Sequence, residues 1–186
     1  MVKQDCKHPE NIIGEFDESL KYVKKLQPSS LWVYQVQREG QDLVLKVGLA
    51  EFPFCTEHLA QEAEILKKLR GLPGIPKLDK SYSSRGIYAG ALLKEFFEGL
   101  TLRDSGISIS RSQLQRQLES TVRAIHEAGF ANLDIRKHNV VVSPDRKDIC
   151  LIDLGTAICR DTSWEHTFEY LRDVDLRLLK QLGEFN

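Results

Sequence analysis

Apolar and polar positions alternate along the first half of this chain and shift to a three-and-four repeat in several later segments. Three strand-like runs stand between residues 22 and 47: Tyr22-Val-Lys-Lys-Leu26, Leu31-Trp-Val-Tyr-Gln-Val36 and Asp42-Leu-Val-Leu-Lys-Val47. The connection Arg38-Glu-Gly-Gln41 carries Gly40, a hairpin signal, so the three runs predict an antiparallel meander. Leu59, Ala63, Leu66 and Leu69 then recur at helical spacing over residues 57–70, with Lys67, Lys68 and Arg70 in the last turn and Gly71 and Pro73 as stops. Residues 87–99 are rich in strand formers. Leu114, Leu118, Val122 and Ile125 predict a helix over residues 112–128, with Gly129 at its end and His126 where a cation suits the helix dipole. Val140-Val-Val142 and Ile149-Cys-Leu-Ile152 read as a hairpin about the turn Ser143-Pro-Asp-Arg-Lys-Asp148. Phe168, Leu171, Leu176 and Leu179 predict a last helix over residues 165–182.

Composition adds bounds rather than a function. With 186 residues, 41% hydrophobic and 28% charged, the chain can bury a core as one compact unit or two small lobes. A net charge of -1, with Lys and Arg interspersed among acids, gives no case for nucleic acid or an anionic membrane. Cys6, Cys55, Cys150 and Cys159 form no Cys-x-x-Cys pair, and reduced structural thiols are expected. Cys6 and His8 have no second ligand pair at zinc spacing. The opening residues lack the apolar stretch of a signal peptide and no run is long enough to span a bilayer, so the expected location is the cytoplasm.

The candidate chemistry lies around the hairpin at residues 140–152. Asp134 and Asn139 occupy the loop that leads into it and Asp153 the loop that leaves it, which puts all three at the same end. Carboxylate and amide oxygens are the ligands that Mg²⁺ accepts beside nucleotide phosphates and water. A further carboxylate among them can take a hydroxyl proton.

This stretch resembles the catalytic core of the protein-kinase-like phosphotransferases. Asp134 to Asn139 is similar to the catalytic-loop spacing, and Asp153-Leu154-Gly155 to the Asp-Phe-Gly metal motif. The likeness extends over about residues 22–182 and includes the lipopolysaccharide-core (Kdo-type) sugar kinases and the small RIO-type kinases. It implies an α+β, bilobal fold, with an antiparallel-sheet N-lobe at about residues 15–95, a hinge at about 95–99 and a truncated, mainly helical C-lobe at about 100–186. It implies ATP and Mg²⁺ as cofactors. Asp134 would orient the acceptor hydroxyl, Arg136 would stand near the transferred phosphate, and Asn139 and Asp153 would hold the metal. Lys46 would contact the α- and β-phosphates, paired to Glu62, with Glu64 as the competing partner. Backbone groups of Glu95, Phe96 and Phe97 would meet the adenine edge, and Ser29 and Ser30 the phosphates. Asp173 would hydrogen-bond the catalytic-loop backbone.

The chain departs from the family pattern at four places. The turn Gln27-Pro-Ser-Ser30 has no glycine, and Lys94 takes a usually apolar position before the hinge. Asn132-Leu133-Asp134 replaces His-Arg-Asp, so the arginine that reads a phosphorylated activation loop is missing and control by that route is not expected. No Ala-Pro-Glu signature follows Gly155, and the residues beyond it are too few for the large peptide-gripping subdomain, which implies an open acceptor site. The expected activity is transfer of the γ-phosphoryl of ATP to a hydroxyl, on a protein serine or threonine in preference to a sugar. The alternative is a pseudokinase that serves as a binding scaffold.

Overall fold

A computed structural model describes residues 8–28, 31–109 and 112–184. The protein is α+β, and the chain divides into two compact units, residues 1–60 with 78–96, and residues 61–77 with 97–186. The division falls inside one helix, α2 (Pro53–Lys68), which starts four residues before the sequence pattern suggests because Pro53 suits a first helical turn.

The first unit opens with helix α1 (Pro9–Phe16), followed by β1 (Lys21–Pro28), β2 (Trp32–Arg38) and β3 (Gln41–Leu49); after α2 come β4 (Leu78–Tyr82) and β5 (Tyr88–Glu95). These strands form one antiparallel sheet in the order β1-β2-β3-β5-β4. The β2–β3 turn is the two-residue connection Glu39-Gly40, with φ of 53° and 82°, flanked by the pair Arg38 and Gln41. Two successive positive φ values match the twist of a tight hairpin, and glycine takes the second without strain. β3 and β5 lie inside the sheet, so both are buried almost throughout, whereas the edge strand β4 is mostly exposed. Ile12, Ile13 and Phe16 of α1 join Val36, Leu43, Leu45 and Leu93 in the core of this unit. The Phe16 ring meets Tyr82 and Tyr88 at 5.7 and 5.4 Å between centroids. Burial, with Tyr22 and Tyr88 close by, pushes the Tyr34 phenol up to about 12. Asp17 accepts a hydrogen bond from the Tyr82 hydroxyl at 3.0 Å, and Arg38 pairs with Asp79 at 2.6 Å.

The second unit holds the end of α2, β6 (Leu100–Thr101), α3 (Leu102–Ser105), α4 (Gln113–Glu127), β7 (Phe130–Ala131), β8 (Val140–Val142), β9 (Ile149–Leu151), β10 (Ile158–Cys159), a 3₁₀ turn at Arg160–Thr162 and α5 (Glu165–Glu184). Ser112 caps α4 by accepting from the Gln115 N–H at 3.2 Å, and Leu114, Leu118, Val122 and Ile125 bury the expected stripe. The hairpin β8–β9 forms as the sequence suggests, with Val140 opposite Leu151 and Val142 opposite Ile149. β6 adds to its β8 side, while β7 and β10 pair separately. Gly99 approaches so closely that a Cβ there would lie 2.1 Å from the Val142 carbonyl oxygen. Among the described residues Cys55, Cys150 and Cys159 are in no disulfide, and Cys6 lies outside them. Among the described residues no helix is long and apolar enough to cross a membrane.

Candidate functional site

The loop between β7 and β8 is built from alternating anchors and outward groups. Leu133 and Ile135 are buried, at 0% and 1% exposure, while the side chains of Asp134 and Arg136 are 25% and 56% exposed. Apolar burial at every second position therefore fixes which way the intervening polar side chains point. Asn132 and Asp134 adopt positive φ, 65° and 50°, a conformation that costs a non-glycine residue about 1–3 kcal/mol unless its surroundings hold it.

Asp175 of α5 supplies that hold. Its Oδ2 accepts from the Asn132 N–H at 2.9 Å and lies 3.0 Å from His126 Nε2 of α4, while Oδ1 accepts from the Leu133 N–H at 2.9 Å. Both partners are buried, Asp175 at 1% and His126 at 6% exposure. Asp173, the residue expected in this role, does not fill it: its side chain is 63% exposed and lies beside Arg172. The available signal was periodicity, since Asp175 shares a buried helical face with Phe168, Leu179 and Leu182 and Asp173 does not.

A second set of bonds ties this loop to the one that leaves β9. The Asn132 side-chain amide donates to the Thr156 carbonyl at 2.8 Å, and the Thr156 hydroxyl donates to the Asn132 carbonyl at 3.1 Å. The Ile152 N–H donates to the Asn139 carbonyl at 2.9 Å, joining the two ends of the hairpin. Asp153 Oδ1 accepts from the Gly155 N–H at 3.1 Å, a local turn that orients its carboxylate.

Within that frame Asn139 Nδ2 donates to the Asp134 carbonyl at 3.0 Å and to Asp134 Oδ2 at 2.9 Å. Arg136 donates to the same Oδ2. The hydrogen bond that it donates to Asp134, with the negative charges of Asp134 and Asp153, holds the Arg136 guanidinium above its ordinary range. With its nitrogen engaged, Asn139 offers Oδ1 as a ligand. An amide oxygen with carboxylates suits Mg²⁺, which keeps waters and phosphate oxygens in its shell. Among the described residues no three His, Cys, Asp or Glu side chains gather at metal-binding distance.

The structure thus brings Asp134, Arg136, Asn139 and Asp153 together. Lys46 is buried in β3 at 5% exposure, and Glu62 in α2 at 1%. Glu64, the competing glutamate, is exposed and faces Lys67 at 4.0 Å. Lys94 is buried in β5 at 2% exposure. Glu95 pairs with Leu43 at the end of β5, and the Phe96 N–H donates to the Asp42 carbonyl at 3.4 Å, so that donor is taken up within the first unit. Phe97 is half-buried, and Ser29 and Ser30 lie outside the described residues.

No protein-family model matches the chain, and no curated protein is significantly similar to it.

Proposed function

We propose that this protein is an ATP-dependent phosphotransferase with a protein-kinase-like, bilobal fold, acting on a hydroxyl acceptor. The observation that supports it best is the convergence of Asp134 and Asn139, on a loop held by buried Asp175, with Asp153 of the loop that leaves β9, at one end of the β8–β9 hairpin. Among the described residues both side-chain bonds to the Asp134 carboxylate end on Oδ2, which leaves Oδ1 to face an acceptor hydroxyl and orient its proton. Asn139 and Asp153 would hold Mg²⁺, which supplies charge neutralisation at the phosphates. The acceptor oxygen forms its bond to the γ-phosphorus as the bond to the bridging oxygen breaks, and ADP leaves with that electron pair. Arg136, pinned beside Asp134, offers a planar fork of donors to phosphate oxygens. The family likeness assigns Lys46 to the α- and β-phosphates and Glu62 to Lys46.

The test is Mg²⁺-dependent ATP turnover by the purified chain, with label followed onto protein and small molecules. Asp153→Ala should abolish turnover and leave the fold intact; undiminished turnover in that variant refutes the assignment. One observation favours the alternative of a binding scaffold: Arg136 pairs directly with the carboxylate that would orient the acceptor. If that pair keeps the site closed, Arg136→Ala gains turnover; if Arg136 serves the phosphates, the same change loses it.

A further inference from the structure

The catalytic loop has a second face, turned to a cavity of about 480 Å³. Arg136, Lys137 and His138 of the loop line it together with Arg103 of α3, over a floor that includes Ile135 and Leu182. Among its described lining residues none is acidic. The floor is buried, at 1% exposure for Ile135 and 8% for Leu182, whereas Arg103, Arg136 and Lys137 are exposed and stand at its rim. The Arg103 N–H donates to the Lys137 carbonyl at 3.1 Å, which fixes the two cation-bearing segments side by side. Arg136 belongs both to this rim and to the ion pair with Asp134, so one side chain separates the cavity from the candidate acceptor-orienting carboxylate.

An apolar floor under a cationic rim fits a side chain with a methylene stem and an anionic head. The depression is open to solvent, and the cations stand on two segments, which suits successive carboxylates of an extended chain lying across it. We infer that this cavity takes acidic side chains of a peptide acceptor, and that the protein phosphorylates serines or threonines flanked by Glu or Asp. This rests on the phosphotransferase reading and specifies its substrate class.

The experiment uses three fluorescent peptides with one serine each, flanked by Glu, Gln or Lys, and the full chain with and without Arg103→Glu plus Lys137→Glu. Binding is read by anisotropy without ATP, and phosphoryl transfer separately. Exposed pairs each contribute up to about fivefold, so the Glu peptide should bind about tenfold tighter than the Gln peptide, with the advantage shrinking at high salt. The charge-reversed chain, checked for folding by circular dichroism, should prefer the Lys peptide. Equal binding of the three peptides, or a Glu preference that survives charge reversal, overturns the inference. So does tighter binding of a sugar acid or sugar phosphate with no preference among the peptides. A Glu preference without transfer keeps the acidic-peptide cavity and removes the enzyme; transfer without a Glu preference does the opposite.

Discussion

Replacing Asp175 with Asn is the sharpest probe of how the loop between β7 and β8 is held. The change preserves size, but an amide offers one acceptor oxygen and one donor nitrogen where the carboxylate offers two acceptors. Asp175 receives the N–H groups of both Asn132 and Leu133, one on each oxygen. Whichever way the amide turns, one backbone N–H meets another donor. A hydrogen bond to a charged acceptor contributes about 1.5–3 kcal/mol, and a buried donor left unsatisfied costs about 1–3 kcal/mol. The two figures describe the same lost bond from its two sides, so the expected destabilisation is about 2–3 kcal/mol. For a chain of this size that lowers Tm by roughly 4–12 °C. Urea denaturation measures the free energy, and amide hydrogen exchange at Asn132 and Leu133 localises it, with protection falling more there than in β1 or β2. A destabilisation below about 0.5 kcal/mol, the scatter of an ordinary surface change, would refute the reasoning.

Gly99→Ala should destabilise by at least about 2 kcal/mol, since the added Cβ would meet the Val142 carbonyl and φ is 156°; urea denaturation checks it, and a neutral outcome would show that β6 and β8 can separate at no cost. Tyr34 ionises near 12 in the fold and near 10 when unfolded, so its contribution is fully present below pH 10 and is lost as pH rises to 12. The loss amounts to about 2–3 kcal/mol, and Tyr34→Phe should make the fall in stability between pH 10 and 12 shallower, with Tyr82, pushed up by burial and by Asp17, still contributing to it. Arg136→Ala separates the catalytic from the closed-scaffold reading by the sign of its effect on ATP turnover. Charge reversal at Arg103 and Lys137 should invert the order of peptide binding.

Much of this architecture was legible because its signals are local. Glu39-Gly40 names its own turn, and the β8–β9 hairpin follows from two β-branched runs about a proline-containing turn. The α4 stripe needs only its period. β4 was not legible: Leu78-Asp-Lys-Ser-Tyr82 is an exposed edge strand, and with so few buried positions it carries no apolar alternation. The two-residue strands β6, β7 and β10 are shorter than any periodicity and exist through pairing to distant residues. At the site, the spacing of Asp134, Asn139 and Asp153 was readable, and of the two glutamates weighed on α2, Glu62 is buried and Glu64 exposed. Asp175 was lost to its neighbour Asp173, since two acids two positions apart differ only in which helix face meets the core. The ion pair of Arg136 with Asp134 is a tertiary outcome that no spacing dictates.

The turn between β8 and β9 lies at the end of the hairpin opposite Asn139 and Asp153. The Ser143 hydroxyl donates to Asp145 at 2.7 Å and accepts the N–H groups of Lys147 and Asp148, so the turn closes on its own groups. Lengthening a surface loop costs only about 0.6 kcal/mol for each doubling. A peptide tag spliced between Asp145 and Lys147 would give up the bonds that Ser143 accepts from Lys147 and Asp148 but would sit a strand's length from Asn139 and Asp153, and a chain cut there would reassemble through the β8–β9 ladder together with the β7–β10 pair and the bonds of Asp175 to Asn132 and Leu133.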